Sequence, residues 1–173
     1  KDLFRLKVPW REWAQAKYIT LVDDVEIHPD LICKWILEQG AKYQIKKLAL
    51  DNYRYALMTN ALKAIGFDAK DAKNVKLVQP SDIMKVQPVI DSLFINQNFV
   101  WGDNPPLRWG TNNTKLVRSS RNIGSDTGNF YYAKIEAKSR KTDPFMALVA
   151  SVVIEDELGT GEANFDDLPV IVC

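Results

Sequence analysis

Two aspartates occupy positions from which an α/β protein could do chemistry. Asp51 ends a short apolar run, and Asp143 begins a strongly apolar one 92 residues later. Open α/β sheets bind ligands beyond the carboxyl ends of their strands, where Asp51 is expected to lie. Carboxylate oxygens are the ligands that Mg²⁺ and Mn²⁺ prefer, and a pair of such ions can activate water against a phosphodiester. If the two side chains meet in space they could form such a site; otherwise Asp51 shapes a turn and Asp143 caps a helix.

A basic segment precedes Asp143 in the chain. Residues 114–141 contain seven basic side chains and two acidic ones, whereas residues 142–173 contain seven acids and no base. The whole chain of 173 residues has 23 basic and 22 acidic side chains, so its net charge of +1 hides this separation. Such a separation predicts a surface that faces phosphates, followed by an acidic stretch. A solvated hairpin and a solvated tail are the alternative interpretation.

Several classes of protein are disfavoured by composition. Cys33 and Cys173 are too few for a disulfide framework or a cysteine zinc site, and Cys33 lies among apolar neighbours as a buried thiol would. His28 is the only histidine, which argues against histidine-rich zinc sites and is better explained as the entry to a helix. No apolar run approaches the ~20 residues that span a bilayer, so no membrane partner is expected. A reducing, intracellular setting fits best. Because the chain begins with Lys1, we expect a fragment or a processed product.

The elements that would position the two aspartates alternate between strands and helices. Pro88 would damage the interior of a helix, so a helix is predicted to begin directly after it. This order predicts an α/β domain with a mixed sheet flanked by helices, and a β-hairpin before the last helix. Strands are predicted at 46–51, 75–78, 115–119 and 130–137, and helices at 28–40, 53–65, 89–97, 104–109 and 145–156.

Four segments, taken together, resemble a known family. They are VPWREW at 8–13, LALDNYR at 48–54, NPPLRW at 104–109 followed by Asn113, and Lys138 followed by KTDPFMAL at 141–148. In this order they resemble motifs of the large terminase subunits of tailed bacteriophages, and they cover most of the span from 8 to 150. The resemblance implies the C-terminal nuclease domain of a DNA-packaging motor, with a ribonuclease-H-like fold. Such domains cut concatemeric double-stranded DNA with clustered acids and divalent metal.

Carried over by motif, the resemblance assigns roles to residues of this chain. Asp51 and Asp143 would be catalytic metal ligands in a two-metal site holding Mg²⁺ or Mn²⁺. Because the basic segment precedes Asp143 in the chain, its hairpin could lie beside this site and hold backbone phosphates without reading sequence. The DNA contacts expected from its charges are Arg118, Arg121, Lys134, Lys138, Arg140 and Lys141. The implied partners are double-stranded DNA, the small terminase subunit and the portal protein, in the cytoplasm of the host.

The sequence also departs from the family pattern. The first catalytic aspartate of the family precedes the VPWREW element, and nothing of that kind stands before Val8. We therefore expect residues 1–158 to form a nuclease domain that lacks its first strand and one metal ligand, followed by an acidic tail at 159–173. Pro144 stands where the family usually has glycine. No GxxxxGK[ST] phosphate loop is present, so this sequence does not contain the ATPase half.

Two alternatives stay open at the level of sequence. A non-catalytic DNA-binding or assembly module that docks to a portal or capsid component would explain the missing acid, and residues 155–167 could form its docking surface. Another ribonuclease-H-like enzyme, such as a transposase or resolvase, would also use clustered carboxylates. The spacing of acids here does not match that of either enzyme.

Overall fold

The chain folds as an α/β domain in a computed structural model that describes residues 7–100, 102–118, 130–136 and 138–158. The helices are α1 (Trp10–Gln15), α2 (Pro29–Gly40), α3 (Asn52–Ala64), α4 (Pro80–Ile95), α5 (Pro105–Asn112) and α6 (Asp143–Val153), and a 3₁₀ turn follows at Glu155–Leu158. The strands are β1 (Leu48–Asp51), β2 (Val75–Val78), β3 (Thr114–Arg118) and β4 (Phe130–Lys134). The tail at 159–173 lies outside the described residues, and the predicted boundary at 158 stays a prediction.

The strands pair as one parallel and one antiparallel ladder. β1 and β2 run parallel, with Leu48 opposite Val75 and Asp51 opposite Val78, and α3 connects them. β3 and β4 form an antiparallel hairpin that ends shortly before α6. The predicted α/β class and the hairpin before the last helix are therefore confirmed. Among the described strands, the two ladders are separate two-stranded sheets.

The core has two apolar clusters, one for each ladder. In the first, Cys33 of α2 and Leu62 of α3 are buried and pack with Leu50 of β1. In the second, Ile90 of α4 is buried together with residues of α6 and packs against β4. α6 also packs against β1 and so joins the two clusters. Burial raises the pKa of the Cys33 thiol, with a further contribution from the charge of Asp30, as expected for a thiol inside the core.

The predicted start of a helix after Pro88 is wrong. α4 begins eight residues before Pro88 and continues through it. An interior proline costs a helix about 3 kcal/mol, because one backbone hydrogen bond is lost and its ring crowds the preceding turn. Here Pro88 is exposed, and apolar residues on both sides of it, including Ile83 and Ile90, pack into the same cluster. Burial of this continuous apolar face offsets the cost of the proline.

Two predicted helix boundaries agree with the structure. His28 is the residue before α2, and its Nδ1 accepts a hydrogen bond from the Asp30 amide at 3.3 Å, which confirms its place at the helix entry. Gly66 follows α3 with a φ of +86°, a conformation that side-chain-bearing residues avoid. The short helix α1 was not predicted from its sequence. In the described part of the chain, no helix has the length and apolarity needed to cross a bilayer.

Candidate functional site

Asp51 lies at the carboxyl end of β1 and starts α3. Its Oδ1 accepts a hydrogen bond from the Tyr53 amide at 2.9 Å, so the side chain caps the helix that follows. The predicted role of Asp51 in the turn after β1 is therefore confirmed. The side chain is exposed, and no described residue donates a hydrogen bond to its second oxygen. A carboxylate in this position can cap α3 and still offer an oxygen to a cation.

Asp143 is the first residue of α6 and does not cap it. Thr142 occupies the capping position, and no side chain makes a capping hydrogen bond to this helix. The Asp143 side chain is exposed, and it forms no hydrogen bond or ion pair with another described residue. Its charge lies in the first turn, where the helix dipole favours an anion. The alternative explanation of Asp143 as a helix cap is therefore wrong.

The backbone that carries Asp143 is held by α5. A Cβ atom on Gly110 would lie 3.1 Å from Cδ of Pro144 and 3.3 Å from the Phe145 nitrogen, so a larger residue at this position would press α5 away from the start of α6. Asn113, at the end of α5, is 2% exposed. Its Nδ2 donates to the Lys141 carbonyl at 3.0 Å. The start of α6 is thus fixed by contacts from Gly110 of α5 and from Asn113, which directly follows α5.

Asn113 makes two further contacts. Its Oδ1 accepts a hydrogen bond from Nη1 of Arg140 at 3.4 Å, and its backbone carbonyl accepts one from the Ile135 amide at 2.8 Å. It therefore joins the end of α5, the base of the hairpin and the residues before α6. Sequence reasoning placed Asn113 in a motif but missed this role. A polar residue between a helix and a strand was the only available signal, and it is a weak one.

The hairpin presents basic side chains on a surface anchored to the core. We call the hairpin β3–β4 together with residues 138–141 the basic ribbon. The Tyr132 ring packs edge-on against Phe145 of α6, with centroids 4.9 Å apart. Burial, together with the charge of Asp91, raises the pKa of the Tyr132 hydroxyl. The ribbon is therefore attached to the helix that begins with Asp143.

The predicted DNA-binding residues are distributed over this ribbon. Strand alternation and the register, with Arg118 opposite Phe130, place Arg118 and Lys134 on the same face as Tyr132 and at opposite ends of the ladder. Both are exposed. Lys138, Arg140 and Lys141 are exposed in the segment that leads to α6. Arg121 lies outside the described residues.

A helix-strand contact relates the two aspartates. α6 packs against β1, and Lys47, just before β1, forms an ion pair with Glu157, just after α6. Asp51 and Asp143 stand at the other end of each element. The donor chemistry of two exposed carboxylates suits a hard divalent cation. In the described part of the chain, however, no group of three or more histidine, cysteine or acidic residues could hold a metal ion.

The four motif segments are connected in space. Trp13 of α1 packs edge-on against Trp109 of α5, with ring centroids 6.1 Å apart. α5 packs on α6 through Gly110, and α6 packs on β1, which ends at Asp51. Segments separated along the chain therefore form one continuous set of contacts that includes both aspartates.

Comparison with solved structures finds a structural relative. The crystal structure of the HK97 bacteriophage large terminase matches with a TM-score of 0.69 and 19% sequence identity, over 86% of this chain. The chain spans 29% of the length of that terminase. No protein-family model and no curated protein matches the sequence. The chain thus has the fold of a domain of a bacteriophage large terminase, consistent with the ribonuclease-H-like fold expected from its motifs.

Proposed function

We propose that the chain is the metal-dependent endonuclease domain of a viral DNA-packaging terminase and that it cuts concatemeric double-stranded DNA. The observation that carries this proposal is the fold shared with part of the HK97 large terminase. The contacts among the four motif segments support it, because motifs that only resembled the family by chance would not be expected to pack together. The protein would act in the host cytoplasm with the small terminase subunit and the portal protein.

The packing of α6 on β1 supports a shared site for Asp51 and Asp143. The Lys47–Glu157 ion pair joins the start of β1 to the chain just after α6. Because the C-terminal end of α6 is held near the start of β1, α6 runs antiparallel to this strand. Its N-terminal end, with Asp143, is then directed toward the end of β1, with Asp51.

The two carboxylates would hold Mg²⁺ or Mn²⁺ as oxygen ligands. When bound, such ions activate water and stabilise the leaving oxygen of a phosphodiester. The chain's own contribution is to fix the carboxylates. Asp51 is fixed by its bond to the Tyr53 amide, and Asp143 by the contacts of α5 with the start of α6.

Cleavage by the full-length protein tests the assignment. We expect Asp51→Asn and Asp143→Asn each to abolish Mn²⁺-dependent nicking of supercoiled plasmid, while circular dichroism and melting stay close to those of the wild type. Glu38→Gln is the matched control, since Glu38 is an exposed acid on α2. Undiminished nicking by either aspartate variant would overturn the two-metal assignment.

DNA binding tests the basic ribbon separately from cleavage. Each phosphate contact contributes about 0.9 to the slope of log affinity against log salt concentration. We expect the double variant Lys134→Ala/Lys138→Ala to bind duplex DNA more weakly and with a shallower slope. Lys34→Ala, an exposed lysine on α2, should leave the slope unchanged. An identical slope in the ribbon variant would remove the ribbon from the DNA contact.

A non-catalytic assembly or DNA-binding module is the second candidate. It is favoured by the absence, among the described residues, of a group of three metal-binding side chains. Mn²⁺ titration separates the two candidates. Binding of Mn²⁺ that Asp51→Asn weakens supports the nuclease, whereas a full-length protein with no Mn²⁺ affinity would be an assembly module that docks to portal or capsid components.

A further inference from the structure

We propose that Asn113 is a positioning residue that sets the place of the Asp143 carboxylate and links it to the basic ribbon. The proposal rests on the proposed function, because it assumes that Asp143 binds a divalent cation. It assigns a role to a residue whose side chain need not contact metal or DNA.

Asp143 is held in place through its backbone. Its carboxylate makes no bond to another described residue, so its position follows from the backbone that carries it. That backbone is fixed two residues earlier, where the Lys141 carbonyl accepts a hydrogen bond from the side-chain amide of Asn113. It is fixed again one residue later, where Pro144 lies against Gly110. Residues of α5 therefore flank Asp143 on both sides along the chain.

Asn113 is buried, and both polar groups of its side chain have partners. At 2% exposure, its amide could not replace a lost partner with bulk water, and an unpaired buried polar group costs about 1–3 kcal/mol. Both ends of the amide are matched in kind. The NH₂ group faces a carbonyl that can only accept, and the oxygen faces the guanidinium of Arg140, which can only donate. The side chain thus has one favourable orientation.

Asn113 also links the start of α6 to the basic ribbon. The Asn113 backbone carbonyl accepts a hydrogen bond from the backbone amide of Ile135, which directly follows β4. Because Asn113 also bonds to Lys141, it contacts the chain on both sides of the segment 136–140. Arg140, which is exposed, also contacts it. A displacement of Asn113 would therefore move a phosphate-binding surface and the carboxylate together.

The variant Asn113→Asp tests this role selectively. It has nearly the same shape and keeps an oxygen for Arg140, but it replaces the donor to Lys141 with an acceptor that repels the carbonyl. Thr111→Val is the matched control, because it removes one hydrogen bond of α5, to the Leu107 carbonyl, without contact to Lys141. Removal of residues that orient metal ligands typically weakens metal affinity 10–100-fold.

Two measurements on the full-length protein decide the matter. We expect Asn113→Asp to weaken Mn²⁺ binding by about tenfold or more, and Thr111→Val to change it less than about twofold. We also expect faster hydrogen exchange of the Met146 amide in Asn113→Asp alone, because that amide bonds to the Thr142 carbonyl and reports on the first turn of α6. Wild-type Mn²⁺ affinity in Asn113→Asp, with Mn²⁺ bound by the wild type, would overturn the inference.

The two possible failures can be told apart. If the wild-type protein binds no Mn²⁺, the proposed function fails, and the exchange of the Met146 amide alone decides whether Asn113 positions the start of α6. If Asn113→Asp does not fold, Gly110→Ala perturbs the same segment from the other side, since its new Cβ would press on Pro144. Folded Gly110→Ala with wild-type Mn²⁺ affinity and unchanged Met146 exchange would then overturn the inference.

Discussion

Asp51 and Asp143 are held in different ways. Asp51 is positioned by its immediate neighbours, as the last residue of β1 and the cap of α3, through a bond that reaches two residues along the chain. Asp143 is positioned by residues of α5 about thirty places earlier, and its own side chain takes no part. Asp51 caps a helix in addition to its proposed chemistry, whereas the Asp143 side chain makes no structural contact of this kind.

This difference determines what each region depends on. The Asp51 region consists of β1, α3 and the loop that follows α3. The position of Asp51 in it depends on the strand, the turn and the start of the helix, all of which are local in sequence. The Asp143 region consists of α4, α5, α6 and the β3–β4 hairpin. The position of Asp143 in it depends on the close approach of α5 to α6 and on the buried amide of Asn113, so it is sensitive to substitutions far from the aspartate in sequence. The contact between α6 and β1 joins the two regions, and its strength decides whether they behave as one unit.

The largest expected effect is the loss of stability caused by substitutions in the two apolar clusters. Leu62 is fully buried in the Asp51 region and Ile90 is 1% exposed in the Asp143 region. We expect Leu62→Ala and Ile90→Ala each to lower the free energy of unfolding by about 2–5 kcal/mol, because each leaves a cavity. Denaturant unfolding followed by circular dichroism and by tryptophan fluorescence should give one coincident transition in both variants. Separate transitions would show that the regions unfold independently.

A smaller effect should separate the two aspartates directly. Asparagine caps a helix about as well as aspartate, whereas alanine does not, at a cost of roughly 1 kcal/mol. We therefore expect Asp51→Ala to be less stable than Asp51→Asn by roughly 1 kcal/mol. The same pair of substitutions at Asp143 should differ by less than about 0.5 kcal/mol, because Thr142 occupies the cap position. Equal differences at the two positions would contradict the contrast between them.

The most subtle effect concerns acid stability of the Asp51 region. The pKa of Asp68, in the loop after α3, is lowered by a hydrogen bond from the Asp71 amide and by the Lys63 ammonium 3.0 Å away. A carboxyl whose pKa is lower in the folded state stabilises the protein above its unfolded pKa of about 3.9, and this contribution is lost as pH falls through the folded pKa. We expect Asp68→Asn to lose less stability than the wild type between about pH 4 and pH 2. A parallel pH profile would contradict this assignment.

Local features of the fold could be predicted from sequence, and non-local ones could not. β1 and β2 follow from short apolar runs, and the start of α2 follows from His28 and Pro29. The continuation of α4 through Pro88 could not be predicted, because burial on both sides of the proline outweighs a local penalty. Asn113 was missed for the same reason, since its partners at Ile135 and Lys141 are brought to it by the fold.

The two hydrogen bonds that Asn113 makes on either side of the segment 136–140 have a consequence for the entropy of the proposed DNA binding. A connection held at both ends has already lost much of the conformational freedom that an untethered loop would keep. If this segment binds DNA as we propose, its cations would meet the phosphate backbone with less ordering still to be done, and preorganisation of this kind strengthens binding without any additional contact. The loop that leads into α6 can then be short and rich in long, flexible side chains and still present its charges in a restricted arrangement.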